Sequence, residues 1–149
     1  MRITPWLYLV GSRQFGLSSP YDCHIYALRA GEGTLLVDAG SGLGQEQVLA
    51  NLREEFGGDL GRGTILITHK HPDHSCGAAG LSRELGWPVV ASAHTAPVLE
   101  AGDNQACGLT DAQAQGGYPP ELRLAACPVA RTFDDGDALV LEGIALRPV

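Results

Sequence analysis

Basic residues are scarce in this chain, paired cysteines are missing, and no apolar run approaches the length of a bilayer. Ten Lys and Arg stand against seventeen Asp and Glu, a formal charge of −7. Such a balance repels phosphate backbones and anionic lipid, so neither nucleic acid nor a membrane surface is expected as a partner. The four cysteines, Cys23, Cys76, Cys107 and Cys127, are far apart and form no C-x-x-C pair. That argues against a zinc knuckle or a redox dithiol and fits isolated thiols in a reducing cytosol. The first ten residues hold one Arg but no long apolar core and no small-residue cleavage site. No later stretch reaches the roughly 18 apolar residues a spanning helix needs. The expectation is a cytoplasmic protein. Internal repeats and low-complexity segments are absent as well.

What is present suits one globular domain over residues 1–149, with 44% hydrophobic and 18% charged residues. A chain of this size buries roughly 70% of its unfolded surface, enough to fold without disulfides. Trp6 to Val10, Cys23 to Arg29 and Thr34 to Val37 read as strands, the last two joined by the turn Gly31-Glu32-Gly33. Val48, Leu49, Leu52 and Phe56 recur at helical spacing over Gln45 to Phe56, with Gly57-Gly58 as the stop. Thr64 to Thr68 is a short apolar run suited to a buried strand, followed by a helix over Cys76 to Leu85 and a strand over Val89 to Ala91. Thr95 to Ala101 makes a short helix. Asp103 to Pro120, broken by Gly108, Gly116, Gly117 and a Pro pair, reads as a loop with brief helical turns. Arg131 to Phe133, Ala138 to Leu141 and Ile144 to Leu146, divided by turn residues, are expected to form a β-meander. The sequence then runs through Arg147-Pro148 to Val149 without a capping residue or polar tail, which predicts a chain cut short within its fold.

The chemistry concentrates in T-H-K-H-P-D-H, Thr68 to His74, which holds three of the five histidines and an aspartate directly after a buried strand. In extended chain, residues two apart face one side about 6.6 Å from each other, so His69 and His71 can aim at one ion. Pro72 turns the chain, and Asp73 and His74 diverge from that pair to serve a second ion. Imidazoles with one carboxylate and no thiolate favour zinc, with iron or manganese as the other choices. The plainer reading makes Asp73 or Ser75 the N-cap of the following helix, which explains one polar residue and leaves three histidines unexplained.

Three segments together resemble the metallo-β-lactamase fold hydrolases: L-L-V-D-A-G at Leu35 to Gly40, I-L-I-T-H-K-H-P-D-H at Ile65 to His74, and D-D-G-D-A-L-V-L-E-G at Asp134 to Gly143. The resemblance covers nearly the whole chain. It implies an α/β fold of the αββα sandwich kind, of which the chain carries the N-terminal half to two-thirds. It also implies a binuclear site, with His69 and His71 around the first metal and Asp73 and His74 around the second. Asp38 then supports the metal loop from behind; its plainer reading is a capping or turn aspartate. Members of the family usually add a further His, a bridging Asp and a last His beyond a strand like Ile144 to Val149, and none follows here. His24, within a strand, and His94, before a short helix, are better explained locally than as ligands.

A water held between two zinc ions loses its proton near neutral pH, so the resemblance implies a zinc-bound hydroxide attacking a thioester, ester or lactone, with Asp73 orienting the oxygen. The rival readings are an iron-dependent sulfur dioxygenase on the same fold, a non-catalytic metal-binding remnant, and a domain that works only after pairing with another chain. With half of the ligand set, weak activity is expected. The substrate is a small molecule, its identity set by the loops Gly11 to Tyr21 and Asp103 to Pro120. An unfinished sandwich also exposes an apolar sheet face, which predicts self-association.

Overall fold

The computed structural model describes residues 1–30 and 33–148. Eight strands and five helices follow in the order β1 (Leu7–Gly11), β2 (Ile25–Ala30), β3 (Gly33–Val37), α1 (Gln45–Phe56), β4 (Gly63–Ile67), α2 (Pro72–Ser75), α3 (Ala78–Leu85), β5 (Val89–Ser92), α4 (Ala96–Ala101), α5 (Leu109–Ala114), β6 (Val129–Phe133), β7 (Leu139–Leu141) and β8 (Ile144–Leu146). The turn expected between β2 and β3 lies partly outside the described residues, at Gly31 and Glu32.

Strands β1 to β6 form one six-stranded sheet in sequence order, and β7 pairs with β8 alone. β1, β2 and β3 run antiparallel, whereas β3, β4, β5 and β6 are mutually parallel. The helices cover one face, where Leu36, Ile65 and Ala91 of the sheet meet Val48, Leu52, Leu81 and Leu99. Burying each of the larger side chains stabilises the fold by about 1.5–3 kcal/mol. The other face carries a smaller cluster, Leu35, Leu66 and Val90, closed over by Leu139 and Leu141 of the β7–β8 hairpin. β4 lies between both layers and is buried at all five positions, which is why it reads as an uninterrupted apolar run rather than an alternating one. The hairpin is also tied down by polar contacts: Glu142 accepts a hydrogen bond from the Thr64 hydroxyl at 2.8 Å and lies 3.5 Å from Arg62 Nε.

Two expectations require correction. The helix expected over Cys76 to Leu85 is present as α3 but starts at Ala78, and a short unexpected helix, α2, precedes it. α2 begins at Pro72, whose fixed φ and missing N–H suit a first helical position, and a break at Cys76-Gly77 separates it from α3. The break has a steric cause, because Gly77 passes so close to the carbonyl of Ala39 that any Cβ would collide with it. The β-meander is the second. β6 extends the main sheet in parallel with β5, and only β7 and β8 form a hairpin.

Candidate metal centre

Parallel pairing of β3 and β4 sets Val37 opposite Leu66, so the carboxyl ends of these strands deliver Asp38 and Thr68 side by side. Crevices beyond the carboxyl ends of parallel strands are the usual binding places of open α/β sheets. At Asp38 the chain leaves the sheet with φ +65°, a left-handed conformation that Asp tolerates better than most residues. Its amide still donates to Leu66 O at 2.8 Å, and the next amide, Ala39 N, donates to His74 O at 2.8 Å. The loop after β3 and the loop after β4 are thereby stitched together.

The Asp38 carboxylate, 4% exposed, is the hub of the site. Its Oδ1 accepts from Thr68 N at 2.8 Å, both oxygens lie within 2.9 Å of Thr68 Oγ1, and Oδ2 lies 2.8 Å from His74 Nδ1. A carboxylate only accepts, so His74 carries its proton on Nδ1 and presents Nε2 outward. The same logic passes one residue further. The Thr68 hydroxyl spends its single proton on Asp38, so its 3.0 Å contact with His69 Nδ1 is one in which His69 donates. His69 therefore also presents the lone pair of Nε2. One buried carboxylate fixes the tautomer of two imidazoles, the usual arrangement behind metal-ligating histidines.

The rings themselves converge. His69 lies with its centroid 4.9 Å from His71 and 4.0 Å from His74, and His74 Nε2 is 3.5 Å from Asp73 Oδ2. The structure thus brings together His69, His71, Asp73 and His74. Burial, followed by the charge of His74, holds the imidazole of His69 below its ordinary pKa. For His74 burial acts in the same direction, but the hydrogen bond and charge of Asp38 outweigh it and raise the pKa. Neither Asp73 nor Ser75 caps the α3 helix, whose N-cap is Gly77 without a side-chain bond. Ser75 instead donates to Lys70 O and His71 O, bracing the loop from below.

The chemistry of the donor set fits a divalent ion: three imidazoles and a carboxylate at the mouth of a crevice, two of the rings already aimed by hydrogen bonds. Among the described residues, the one grouping of three or more such donors whose atoms all lie within 4.8 Å of one another is Cys23, Asp38 and His74, not the four residues of the motif. There the Asp38 oxygens and His74 Nδ1 are engaged with each other, so it reads as the hydrogen-bonded wall behind the donors. Burial and then the charges of Asp38, Asp73 and Asp22 push the Cys23 thiol well above its ordinary pKa.

Asp38, Thr68, Asp73 and His74 line a cleft of about 560 Å³ together with Arg13, Gln14, His24 and Tyr26, while His69 and His71 lie off its wall. Arg13 and Gln14 come from the Gly11 to Tyr21 loop, while the Asp103 to Pro120 loop approaches from the other side. Gly108 lies beside His71, and the Tyr118 phenol is pushed up to about 12 by burial and the nearby Asp73 charge. That second loop is anchored by the buried Cys107, whose Sγ donates to Asn104 O at 3.4 Å and whose thiol is drawn below its ordinary pKa by the neighbouring Cys76. Sequence reasoning placed His24 in a strand and missed its position on the cleft wall; it also passed over Thr68, Arg13 and Tyr118. Thr68 was within the motif and carried a signal, a hydroxyl directly before the first histidine. His94 is exposed ahead of α4.

The chain belongs to the metallo-beta-lactamase superfamily, whose model matches residues 19–143. Solved structures agree in fold. A metallo-beta-lactamase of Cronobacter sakazakii with a HARLDQ motif is 23% identical, with a TM-score of 0.72 over 99% of this chain and 52% of that one. BJP-1, a subclass B3 metallo-beta-lactamase of Bradyrhizobium japonicum, is 24% identical, with a TM-score of 0.73 over 99% and 49%. FEZ-1 from Legionella gormanii is 18% identical, with a TM-score of 0.73 over 98% and 50%. The chain spans about half the length of these structures. No curated protein matches it in sequence. Among the described residues no helix is long and apolar enough to cross a membrane.

Proposed function

We propose that the chain provides the metal-binding half of a zinc-dependent hydrolase acting on a thioester, ester or lactone. The observation that carries this reading is the Asp38 network, which leaves Nε2 of both His69 and His74 as lone pairs, that of His74 3.5 Å from Asp73 Oδ2. His69 and His71 would hold one ion, and Asp73 and His74 a second. Zinc bound there supplies Lewis-acid polarisation of the substrate carbonyl and activation of water. The chain's own residues do the rest. Asp38 holds the Nδ1 proton of His74 directly and that of His69 through Thr68, so that Nε2 is the donor of each neutral ring, and it fixes their orientation. Asp73, half-exposed, would accept a hydrogen bond from the attacking water and align it. The cleft beside it gives the acyl group a place to lie, and no side-chain nucleophile is required.

Metal analysis after equilibration of the full chain with zinc, together with hydrolysis of a model thioester, tests the reading. Bound zinc that is lost in H69A/H71A, with turnover lost in parallel, is the expected result. Retention of iron with oxygen uptake, or metal without any turnover, would overturn it.

A further inference from the structure

His24 sits on the wall of the cleft with its Nδ1 bonded to one buried hydroxyl. Ser12 Oγ, fully buried, lies 2.9 Å from His24 Nδ1 and accepts the Phe15 amide at 3.2 Å. Among the described residues its proton has no acceptor other than Nδ1. Leaving a buried hydroxyl proton unpaired is costly, so Ser12 donates and His24 carries its own proton on Nε2. The ring is held in that orientation between Phe15, at 5.8 Å, and Tyr26, edge-on at 6.1 Å. This is the opposite tautomer to His69 and His74. Those rings present lone pairs, whereas His24 presents a donor.

Next to Ser12 in the chain is Arg13, exposed, lining the same cleft and in no ion pair among the described residues. The segment that carries it is pinned, because Ser12 N donates to Ser18 Oγ at 3.0 Å. One hydroxyl therefore positions the imidazole and the start of the arginine's loop together. The acidic groups on the same wall do not cancel the guanidinium. Asp22 and Asp38 are buried with their oxygens taken by Ser41, Ser19, Thr68 and His74, and Asp73 belongs to the proposed metal centre. A planar fork of N–H donors and a fixed imidazole N–H lining one cleft match the two oxygens of a carboxylate.

We propose that Arg13 and the Nε2–H of His24 form a carboxylate-recognition corner, so that the substrate is an acyl compound bearing a free carboxylate remote from the bond to be cleaved. The proposal rests on the hydrolase reading and narrows its substrate class.

The test uses the full zinc-equilibrated chain and two matched pairs of compounds. The first pair is the N-acetylcysteamine thioester of succinic acid and its methyl ester. The second is a non-hydrolysable thioether carboxylate and its methyl ester, followed by calorimetry. The carboxylate is expected to bind on the order of tenfold tighter than the ester, as charge-assisted hydrogen bonds allow, with the turnover preference lying in KM rather than kcat. R13Q and H24F are each expected to abolish the preference; if H24F fails to fold, R13Q at its exposed position decides alone. Equal binding of acid and ester by the native chain, or an undiminished preference in R13Q, would overturn the proposal. Turnover of both thioesters with equal KM removes the corner and leaves the hydrolase. A preserved binding preference without any turnover removes the hydrolase and leaves the corner.

Discussion

The carboxylate of Asp38 and the imidazole of His74 meet at 2.8 Å, and this one contact, extended through the Thr68 hydroxyl, orients two of the three clustered histidines. Replacing Asp38 with Asn puts an amide where the accepting oxygens stood and frees both rings to change tautomer. D38N is expected to weaken zinc binding by about 10–100-fold, the usual cost of losing a supporting partner of a ligand. Competition against a chromophoric chelator measures it. Unchanged affinity would mean that Asp38 shapes the loop without tuning the donors.

A second buried aspartate holds structure alone. Asp22, 1% exposed, accepts from Ser41 N at 2.8 Å, Ser41 Oγ at 2.6 Å and Ser19 N at 3.1 Å, locking the segment after β3 to the loop before β2. D22A leaves those donors buried without an acceptor and is expected to cost about 2–4 kcal/mol. Urea denaturation followed by circular dichroism reads this as a lowered midpoint. A midpoint matching the parent would show that water replaces the carboxylate.

Tyr118 makes a pH-dependent prediction of definite sign. Its phenol is pushed up from 10 to about 12 by burial and by Asp73, so the unfolded chain ionises it first. A raised native pKa stabilises the fold fully below pH 10 and less as pH rises towards 12. The alkaline absorbance titration of the native protein minus that of Y118F is expected to show one phenol ionising late, and Y118F is expected to lose less stability across that window. A difference titration centred near the ordinary tyrosine value would contradict the placement of Tyr118 against the cleft.

The sheet face opposite the helices is covered only in part by the β7–β8 hairpin. Ile3, Leu7, Tyr26, Leu28 and Val37 line an open, almost wholly apolar hollow beside it. Exposed apolar patches of this kind favour association, and a second copy of the chain is the available partner in a purified sample. Sedimentation velocity is expected to show concentration-dependent self-association that V37K reduces. A monodisperse monomer at all concentrations would contradict this.

Much of the fold was legible because its signals are local. The helix Gln45–Phe56 is marked at both ends by glycine and along its length by Val48, Leu49 and Leu52, and the buried strand before the histidines is a plain apolar run. The middle three residues of β6 are exposed, so its pattern resembles that of a hairpin strand, and its parallel pairing with β5 is a long-range fact that no local pattern encodes. The helix break at Gly77 was hidden for the same reason, since it is set by the carbonyl of Ala39, far away in sequence. At the site, spacing alone grouped His69, His71, Asp73 and His74. Proton positions on the rings depend on Asp38, Thr68 and Ser12, which arrive from other strands and loops, so the difference between donor-bearing and lone-pair-bearing histidines appears only in three dimensions.

The most direct test of the central claim is long-range proton–nitrogen NMR of the histidine rings, before and during titration with zinc. We predict that His69 and His74 carry their protons on Nδ1 in the neutral state, and that zinc shifts Nε2 of both while leaving His24, protonated on Nε2, unmoved. Nε2 protonation of His69 and His74, or a zinc response at His24 instead, would contradict the assignment of this cluster as the metal centre.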